Sequence, residues 1–468
     1  MNIVNSREIT PDPNTLREPR PRRVAGLLGC ALWALTALGC QGGPATADGG
    51  GDETGCDPDA GDAGDEGEAA GGNWWELELG DPILDQVALF YLGHAWDQSA
   101  DVAEVLETLG RIDGTDDTSW PHEWQLTAER LDALAGASEA EGHALSAADA
   151  YLRAATYYRA ALHRHGDPTD PEVPVLAERA VERFEKYLEL SDSPCESVTF
   201  PYEDTTLPAY FCRADTGGEP APVLLFQEGR DAWAEDGKFV ADAALRRGYH
   251  VLMFDGPGMG KVLRLQGLPF RHDWEAVVSP AVDFVEQQPE VDPDRIGYIA
   301  LSMGGFLGTR AAAFEPRLSL LVVNPGVLRW NEIYEGFFAE IDPDLPGLVD
   351  TDEEAFNAAI EELMEHSELI RWGVIDSMWH HGVDTPAALI HEVRKFSLTG
   401  QESMITAKVL VVDAEAETWG QSPELFEALP GDKDYLLFTA SEAAQFHVQP
   451  GASGVATHRV FDWIDSNI

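Results

Sequence analysis

The chain has 468 residues, with 31 Lys and Arg against 83 Asp and Glu, so its formal net charge is −52. This excess of negative charge argues against nucleic acid as a partner, because the phosphate backbone would be repelled. The length suffices for two or three domains, and the remaining composition is that of a globular protein.

The first 39 residues are predicted to be a signal peptide. Arginines between positions 17 and 23 precede an apolar run, residues 24–39, that is shorter than the roughly 20 residues of a membrane-spanning helix. The run ends in Ala37-Leu38-Gly39-Cys40, which resembles a lipobox, so lipidation of Cys40 is expected; ordinary secretory cleavage is the alternative.

Residues 40–72 are rich in Gly, Ala, Asp and Glu and contain almost nothing to bury, which predicts a disordered acidic tether. A lipid anchor followed by a spacer predicts a bacterial cell-envelope lipoprotein on the periplasmic or outer-surface side. The membrane would then be one partner of the chain.

Residues 73–194 are predicted to form a helical cap domain, because apolar residues recur at three- and four-residue spacing. Next comes a predicted hairpin over residues 197–212, with its turn near Asp204-Thr205. That turn places Ser197 opposite Cys212. Cys195 would then lie about two residues away from the position opposite Cys212. An exported protein could form the Cys195–Cys212 disulfide, but the spacing leaves the pairing open.

From residue 195 to 468, short apolar runs alternate with helical stretches. This alternation predicts an α/β fold with a mainly parallel, doubly wound sheet. An acidic helical segment at about 329–405 interrupts it and is interpreted as a lid insertion. The predicted strands are residues 223–227, 250–254, 296–300, 318–323, 409–412 and 435–438.

Ser302 is the candidate nucleophile. It follows the strand at 296–300 and precedes a helix, in a stretch close to the G-x-S-x-G nucleophile elbow. Ala300 stands at the first glycine position, but it is still small enough for the tight turn. Functional residues of such sheets collect at the carboxyl ends of the strands, which favours a catalytic Ser302 over a serine in an ordinary turn.

The order of the chain supplies the partners of Ser302. Glu417, a few residues beyond the strand at 409–412, is the favoured acid, with Glu415 and Asp413 as rivals. His447, on the loop before the last helix, is the candidate base, whereas His458 lies within that helix. A serine needs such an imidazole to remove its proton, and a carboxylate to orient the imidazole.

An oxyanion formed at the attacked carbonyl needs two N–H donors. The backbone N–H of Met303 is the first candidate. The second should come from the loop Glu228-Gly-Arg-Asp231, with the backbone N–H of Arg230 as the candidate.

These residues occur in a combination that resembles the cap-bearing α/β hydrolases related to 2,6-dihydroxypseudooxynicotine hydrolase and similar esterases. The resemblance covers about residues 75–468 and implies a helical cap, a Ser-acid-His triad and a small-molecule substrate. Ala300, Glu417 and Glu228 depart from its pattern. The stretches that carry it are Asp255-Gly-Pro-Gly-Met-Gly260, Asp273-Trp-Glu-Ala-Val-Val278, Val291-Asp-Pro-Asp-Arg-Ile296, Ser302-Met-Gly-Gly305, Arg310-Ala-Ala-Ala-Phe-Glu-Pro316, Phe438-Thr-Ala440 and residues 146–158.

Some members of this family cleave a carbon–carbon bond beside a ketone, and these are associated with an extra acid that Asp231 matches. Asp231 could equally be a salt-bridge or capping residue of its loop. Trp372, Met378 and Trp379 are expected either to line an apolar substrate pocket or to form the core of the lid.

No metal site and no cofactor are predicted. The glycine-rich turn at residues 255–260 lacks the Walker pattern, because Val262 follows Lys261. His380-His381 and His163-x-His165 lack a spaced carboxylate, so packing in the lid and the cap is the expected role.

The sequence therefore predicts a serine hydrolase that cleaves an ester, or a carbon–carbon bond beside a ketone, in a medium-sized apolar or aromatic small molecule. The alternatives are a surface-tethered binding protein on the same scaffold and a serine peptidase of the same fold. A homodimer is left open.

Overall fold

The computed structural model describes residues 77, 79, 82–114, 116 and 118–468. The predicted signal peptide, Cys40 and the acidic tether lie outside these residues. The described part is built around an eight-stranded sheet in the order β1-β2-β4-β3-β5-β6-β7-β8. Its strands are β1 Cys195–Tyr202, β2 Thr205–Cys212, β3 Ala221–Gln227, β4 His250–Phe254, β5 Val291–Leu301, β6 Leu318–Asn324, β7 Lys408–Ala414 and β8 Lys433–Phe438.

Strands β3 to β8 run parallel to one another, and β2 joins the sheet antiparallel to β4. Both faces of the sheet are covered, which is why its strands are apolar almost throughout. On β3, Val223 and Leu225 pack into the core on one face, and Leu224 and Phe226 into the core on the other. The predicted α/β class with a mainly parallel sheet is confirmed.

The hairpin differs from its predicted register. Tyr202 pairs with Thr205, so the turn is Glu203-Asp204, one residue earlier than predicted. Cys195 therefore lies directly opposite Cys212, and the two form a disulfide with their Cα atoms 3.8 Å apart. The open question of their pairing is thus answered by a one-residue shift in the turn.

Within the described residues, five α-helices precede the sheet and pack together around a core that includes Trp124 and Tyr157. The same apolar cluster contains Leu369 and Trp372, so these helices also pack against the later insertion. The five are α1 Pro82–Gly93, α2 Val102–Leu109, α3 Ser119–Ala140, α4 Ala144–His163 and α5 Glu172–Leu190.

The helices that cover the sheet are α6 Lys238–Leu245, α7 Glu275–Glu286 and α8 Gly304–Phe314, followed later in the chain by α14 Ser422–Ala428 and α15 Ser453–Asn467. Between β6 and β7 the chain forms the helical insertion, residues 329–405. Its helices are α9 Trp330–Ile341, α10 Leu345–Thr351, α11 Glu353–His366, α12 Glu368–His381 and α13 Pro386–Val393. Across the described ranges, no helix combines the length and the apolar character needed to cross a bilayer.

Candidate active site

Ser302 lies in the sharp turn between β5 and α8. Its φ is +58°, a left-handed conformation that a non-glycine residue adopts only when its surroundings hold it there. The Ser302 N–H donates a 2.6 Å hydrogen bond to the carbonyl oxygen of Asn324 at the end of β6. The turn therefore holds the serine above the carboxyl edge of the sheet, as a nucleophile elbow requires.

Ala300 is tolerated because glycines face it. A Cβ atom added at Gly308 would lie 2.7 Å from the Cβ of Ala300, and one added at Gly304 would lie 3.3 Å from it. Gly305 permits a different contact, since a Cβ there would be 1.9 Å from the carbonyl oxygen of Pro325. The missing first glycine of the elbow is thus matched by glycine at position 308, which the motif does not include.

Three side chains form a continuous hydrogen-bonded chain. The Nε2 of His447 lies 2.9 Å from the Oγ of Ser302, and its Nδ1 lies 2.7 Å from the Oε2 of Glu417. The backbone N–H groups of Thr418 and Trp419 donate to the Oε1 of Glu417 and fix this carboxylate. The ring of Trp419 also packs against the imidazole, with centroids 4.3 Å apart.

The two rival acids have other partners. Asp413 accepts hydrogen bonds from the Tyr435 hydroxyl and from the Ala414 N–H. Glu415 accepts a 2.6 Å hydrogen bond from the N–H of Ala440. Of the three candidates, Glu417 is the carboxylate that the loop after β7 brings to His447.

The loop after β3 lies directly against Ser302. A Cβ atom added at Gly229 would be 2.4 Å from the Cβ of Ser302 and 2.8 Å from its Oγ. The backbone next to Arg230 can therefore approach Ser302 closely, as an oxyanion donor would need to. Met303 follows Ser302 at the start of α8, which is the position expected of the other donor.

Gly229→Ala is expected to lower kcat/KM by about 10²-fold or more, because the new methyl group would push the loop and its N–H donor away from Ser302. The measurement is steady-state hydrolysis of an aryl ester, together with a thermal melt. Gly336→Ala is the matched control, since a Cβ there meets nothing within 4 Å. Equal activity of the two variants would contradict a role for this loop.

A cavity opens beside Ser302 and His447 and encloses about 1010 Å³ of empty space, part of it open to solvent. Besides Ser302 and His447, its polar lining residues are Gln86, His163, Glu228, Arg230, Asp231 and Tyr334. Most of the remaining wall is apolar. This wall includes Val87, Phe90, Trp330, Ile333, Phe337, Trp419 and Pro450.

The structure places one of the four predicted pocket residues in the wall of the cavity and the other three elsewhere. Asp231 lines the cavity, but Trp372, Met378 and Trp379 are not among its lining residues. Trp372 packs into the core of the N-terminal helices, Met378 lies against the main core, and Trp379 stacks edge-on to His380. They belong to packing because α9 of the insertion, and not α12, faces the cavity.

Phe90 and His163 were not predicted as site residues. Both come from the N-terminal helices, and the Nδ1 of His163 lies 3.1 Å from the hydroxyl of Tyr91. Burial lowers the pKa of His163 and raises the pKa of Tyr91, so this tyrosine stays protonated and donates. An apolar helix face gives no sign in the sequence of which cavity it will line.

The glycine-rich turn after β4 is structural. Asp255 accepts hydrogen bonds from the N–H groups of Ala234 and Lys261, at 2.8 and 3.0 Å. The Lys261 ammonium lies 2.9 Å from the Tyr210 hydroxyl and 3.5 Å from Glu235. Because the buried Lys261 is already paired in this way, the contacts support the prediction that this stretch is a structural turn and does not bind phosphate.

His163 and His165 have different partners, since the Nδ1 of His165 lies 2.9 Å from the backbone oxygen of Asp167 and that of His163 lies beside the Tyr91 hydroxyl. His380, in contrast, meets carboxylates that the sequence does not place near it. Ligand atoms of His380, Asp231 and Asp376 lie within 4.8 Å of one another, a set that could hold a metal ion. The guanidinium of Arg230 already lies 2.5 Å from Asp376 and 3.4 Å from Asp231, so side chains of the protein supply the positive charge.

A parallel sheet with a serine elbow, a histidine on the loop after β8 and helices above the site defines an α/β hydrolase. The chain belongs to this family: residues 218–462 match the α/β hydrolase family model. Residues 97–328 also match the model for FrsA-like esterases. The protein is therefore a hydrolase, and the predicted resemblance to cap-bearing α/β hydrolases is confirmed.

Curated relatives extend this match over most of the chain. The chain is 34% identical to 20-hydroxy-prefusarin hydrolase FUS2 of Gibberella moniliformis, over 79% of this chain and 92% of the relative. It is 30% identical to the hydrolyase poxO of Penicillium oxalicum, over 79% and 93%. The crystal structure of 2,6-dihydroxy-pseudo-oxynicotine hydrolase shares the fold at 18% identity and a TM-score of 0.61, over 81% of this chain and 95% of that one.

These relatives correct one prediction. A bacterial cell-envelope lipoprotein was expected from residues 1–72, and that localisation is wrong, because FUS2, poxO and similar curated relatives of the chain are fungal hydrolases. The expectation depended on a short apolar run and one cysteine, both outside the described residues.

Proposed function

We propose that this hydrolase uses Ser302 as nucleophile, His447 as general base and Glu417 as the acid that orients it. The substrate is a medium-sized apolar or aromatic small molecule with an ester, or with a carbon–carbon bond beside a ketone. The unbroken chain of hydrogen bonds from Ser302 to Glu417, at the base of a largely apolar cavity, carries the proposal. The relative named as a 20-hydroxy-prefusarin hydrolase supports a small-molecule substrate.

In the first half of the reaction, the Oγ of Ser302 attacks the carbonyl carbon while His447 takes its proton. The carbonyl electron pair moves onto oxygen, where the N–H groups of Met303 and Arg230 stabilise the charge. The pair then returns, the bond to the leaving group breaks, and the imidazolium gives that group its proton. Water, activated by His447, releases the acyl group from Ser302.

A non-catalytic binding protein on this scaffold is the alternative function, and the joined triad side chains speak against it. A serine peptidase is less well supported, because the N-terminal helices and the insertion both contribute to the cavity wall and enclose the site. A cavity of this kind suits a small molecule better than a polypeptide.

Covalent labelling tests the proposal. A fluorophosphonate should add its phosphonyl group to Ser302 with loss of fluoride, detected by intact mass and by peptide mapping. Labelling should disappear in Ser302→Ala and persist in Ser466→Ala, which changes an exposed serine of α15. A wild-type protein that folds but remains unlabelled would contradict the proposal, and parallel assays of aryl esters and aryl ketones would identify the bond type.

A further inference from the structure

Four charged side chains form a buried cluster between the loop after β3 and helix α12. The four-charge cluster consists of Arg230 and Asp231 from the loop, and Asp376 and His380 from the helix. Arg230 lies 2.5 Å from the Oδ2 of Asp376 and 3.4 Å from the Oδ1 of Asp231. The Nε2 of His380 lies 3.4 Å from Asp231 and 3.5 Å from Asp376.

Within the four side chains, two positive charges face two negative charges when His380 is protonated, and the buried Arg264 lies close enough to be attracted by both carboxylates. The Nδ1 of His380 lies 2.8 Å from the carbonyl oxygen of Gly258, which can only accept, and its Nε2 faces two carboxylates. An imidazolium would carry an N–H at each nitrogen and would place a positive charge beside the two carboxylates. Two cations then face two carboxylates, with the side chain of His380 fully buried and the others nearly so.

Because the cluster is buried, its charges shift the pKa values of neighbouring groups. Burial alone would raise the pKa of Asp376, but the charges of His380 and Arg230 hold it well below its ordinary value. Burial lowers the pKa of the neighbouring Arg264, against the attraction of Asp376 and Asp231. The hydroxyl of Tyr334, from α9, lies 3.4 Å from Arg230 and 3.3 Å from the Oγ of Ser377. Helices α9 and α12 of the insertion thus both hold the Arg230 side chain.

The loop after β3 contains a residue in an unfavourable backbone conformation, so contacts from other elements are needed to hold it. Asp231 has a φ of +70°, which is unfavourable for a residue with a side chain. It follows Arg230, whose backbone N–H is an oxyanion donor in the proposed function, and Gly229, which lies against Ser302. An oxyanion donor misplaced by a fraction of an ångström loses much of its effect on the transition state.

We propose that Asp376 and His380 are positioning residues, which fix the oxyanion loop from the helical insertion through their contacts with Arg230 and Asp231. Within the proposed function on which this inference rests, the insertion does more than cover the substrate. It completes the hydrolytic site, because the loop reaches its active conformation only when α12 supplies its two charges.

The principal variant is Asp376→Asn, and its matched control is Glu368→Gln, an exposed acid on the same helix. Asp376→Asn should lower kcat for an aryl ester about 10²-fold and leave KM within about threefold, since the loop acts on the transition state more than on substrate binding. The control should retain the wild-type kcat. A variant in which KM rises and kcat stays unchanged would overturn the inference.

A double variant guards against loss of folding. Asp376→Asn combined with His380→Gln removes one charge of each sign and leaves Arg230 paired with Asp231. It should fold and still show the lowered kcat. Full recovery of kcat in the double variant would overturn the inference, because charge balance alone would then be sufficient.

Hydrogen–deuterium exchange separates this inference from the proposed function. The peptide spanning residues 227–233 should exchange at least tenfold faster in Asp376→Asn than in wild type or Glu368→Gln. Unchanged exchange would overturn the positioning role, whatever the activity. Faster exchange in a protein whose Ser302 resists fluorophosphonate would uphold the positioning role and overturn the proposed function alone.

Discussion

Ser302→Ala is expected to lower kcat for an aryl ester by about 10⁴-fold or more, because the variant has no oxygen to form the acyl intermediate. His447→Ala should fall to a similar level, since the remaining hydroxyl would lose the base that lies 2.9 Å from it. The double variant should be no slower than either single variant, because the two side chains act as a unit. Initial rates and thermal melts of the three proteins are the measurements.

His458→Ala is the matched control for the histidine variant. His458 is exposed on α15 and pairs with Asp462 at 3.2 Å. It should retain the wild-type kcat. Loss of activity in the control, or independent additive losses in the double variant, would contradict a reaction that runs through Ser302 and His447 together.

The sheet and the elbow could be predicted because their signals are local. A strand buried on both faces is apolar at almost every position, and β4 was predicted with its bounds as the structure has them. Ser302 follows such a strand and precedes small residues, so its place in the sheet follows from the pattern. The chain order of this fold indicated the loop after β7 for the acid and the loop after β8 for the histidine.

The choice among three acids and the wall of the cavity depend on contacts that no local pattern records. Glu417 reaches His447 because two backbone hydrogen bonds hold the loop after β7. The Glu415 N–H donates to the carbonyl oxygen of Phe438, and the Ala416 N–H donates to the carbonyl oxygen of Gln445. The four-charge cluster joins residues 146 positions apart in the chain. Trp372 and Phe90 are both apolar residues on helices, and only packing decides that Phe90 lines the cavity.

Glu228 makes the stability of the protein depend on pH. It lies 4% exposed in the wall of the cavity. Burial, with the nearby charges of Asp236 and Asp255, raises its pKa from the ordinary 4.5 to about 8, although the Gly229 N–H partly opposes this. Between these two pH values the folded chain holds a proton that the unfolded chain has lost, so the free energy of unfolding falls as pH rises from about 4.5 to about 8.

Glu228→Gln should therefore stabilise the fold at pH 9 and much less at pH 5. The difference between a pKa of about 8 and one of 4.5 corresponds to about 5 kcal/mol at most. An amide buried in place of the acid costs about 1–2 kcal/mol where its N–H groups lack acceptors, so a gain of about 2–4 kcal/mol is expected at pH 9. Urea unfolding of both proteins at the two pH values measures it.

Glu219→Gln provides the comparison, because Glu219 is exposed in the loop before β3 and its replacement should change the free energy of unfolding little at either pH. Asp255, whose pKa burial raises to about 7, is present in every protein compared, so the difference between variant and wild type reports on Glu228 together with its effect on Asp255. Equal changes at pH 5 and pH 9 in Glu228→Gln would mean that Glu228 titrates like a surface carboxyl. A gain confined to alkaline pH would mean that the wall of the cavity contains an acid which is neutral at pH 7, close to the place where the proposed oxyanion forms.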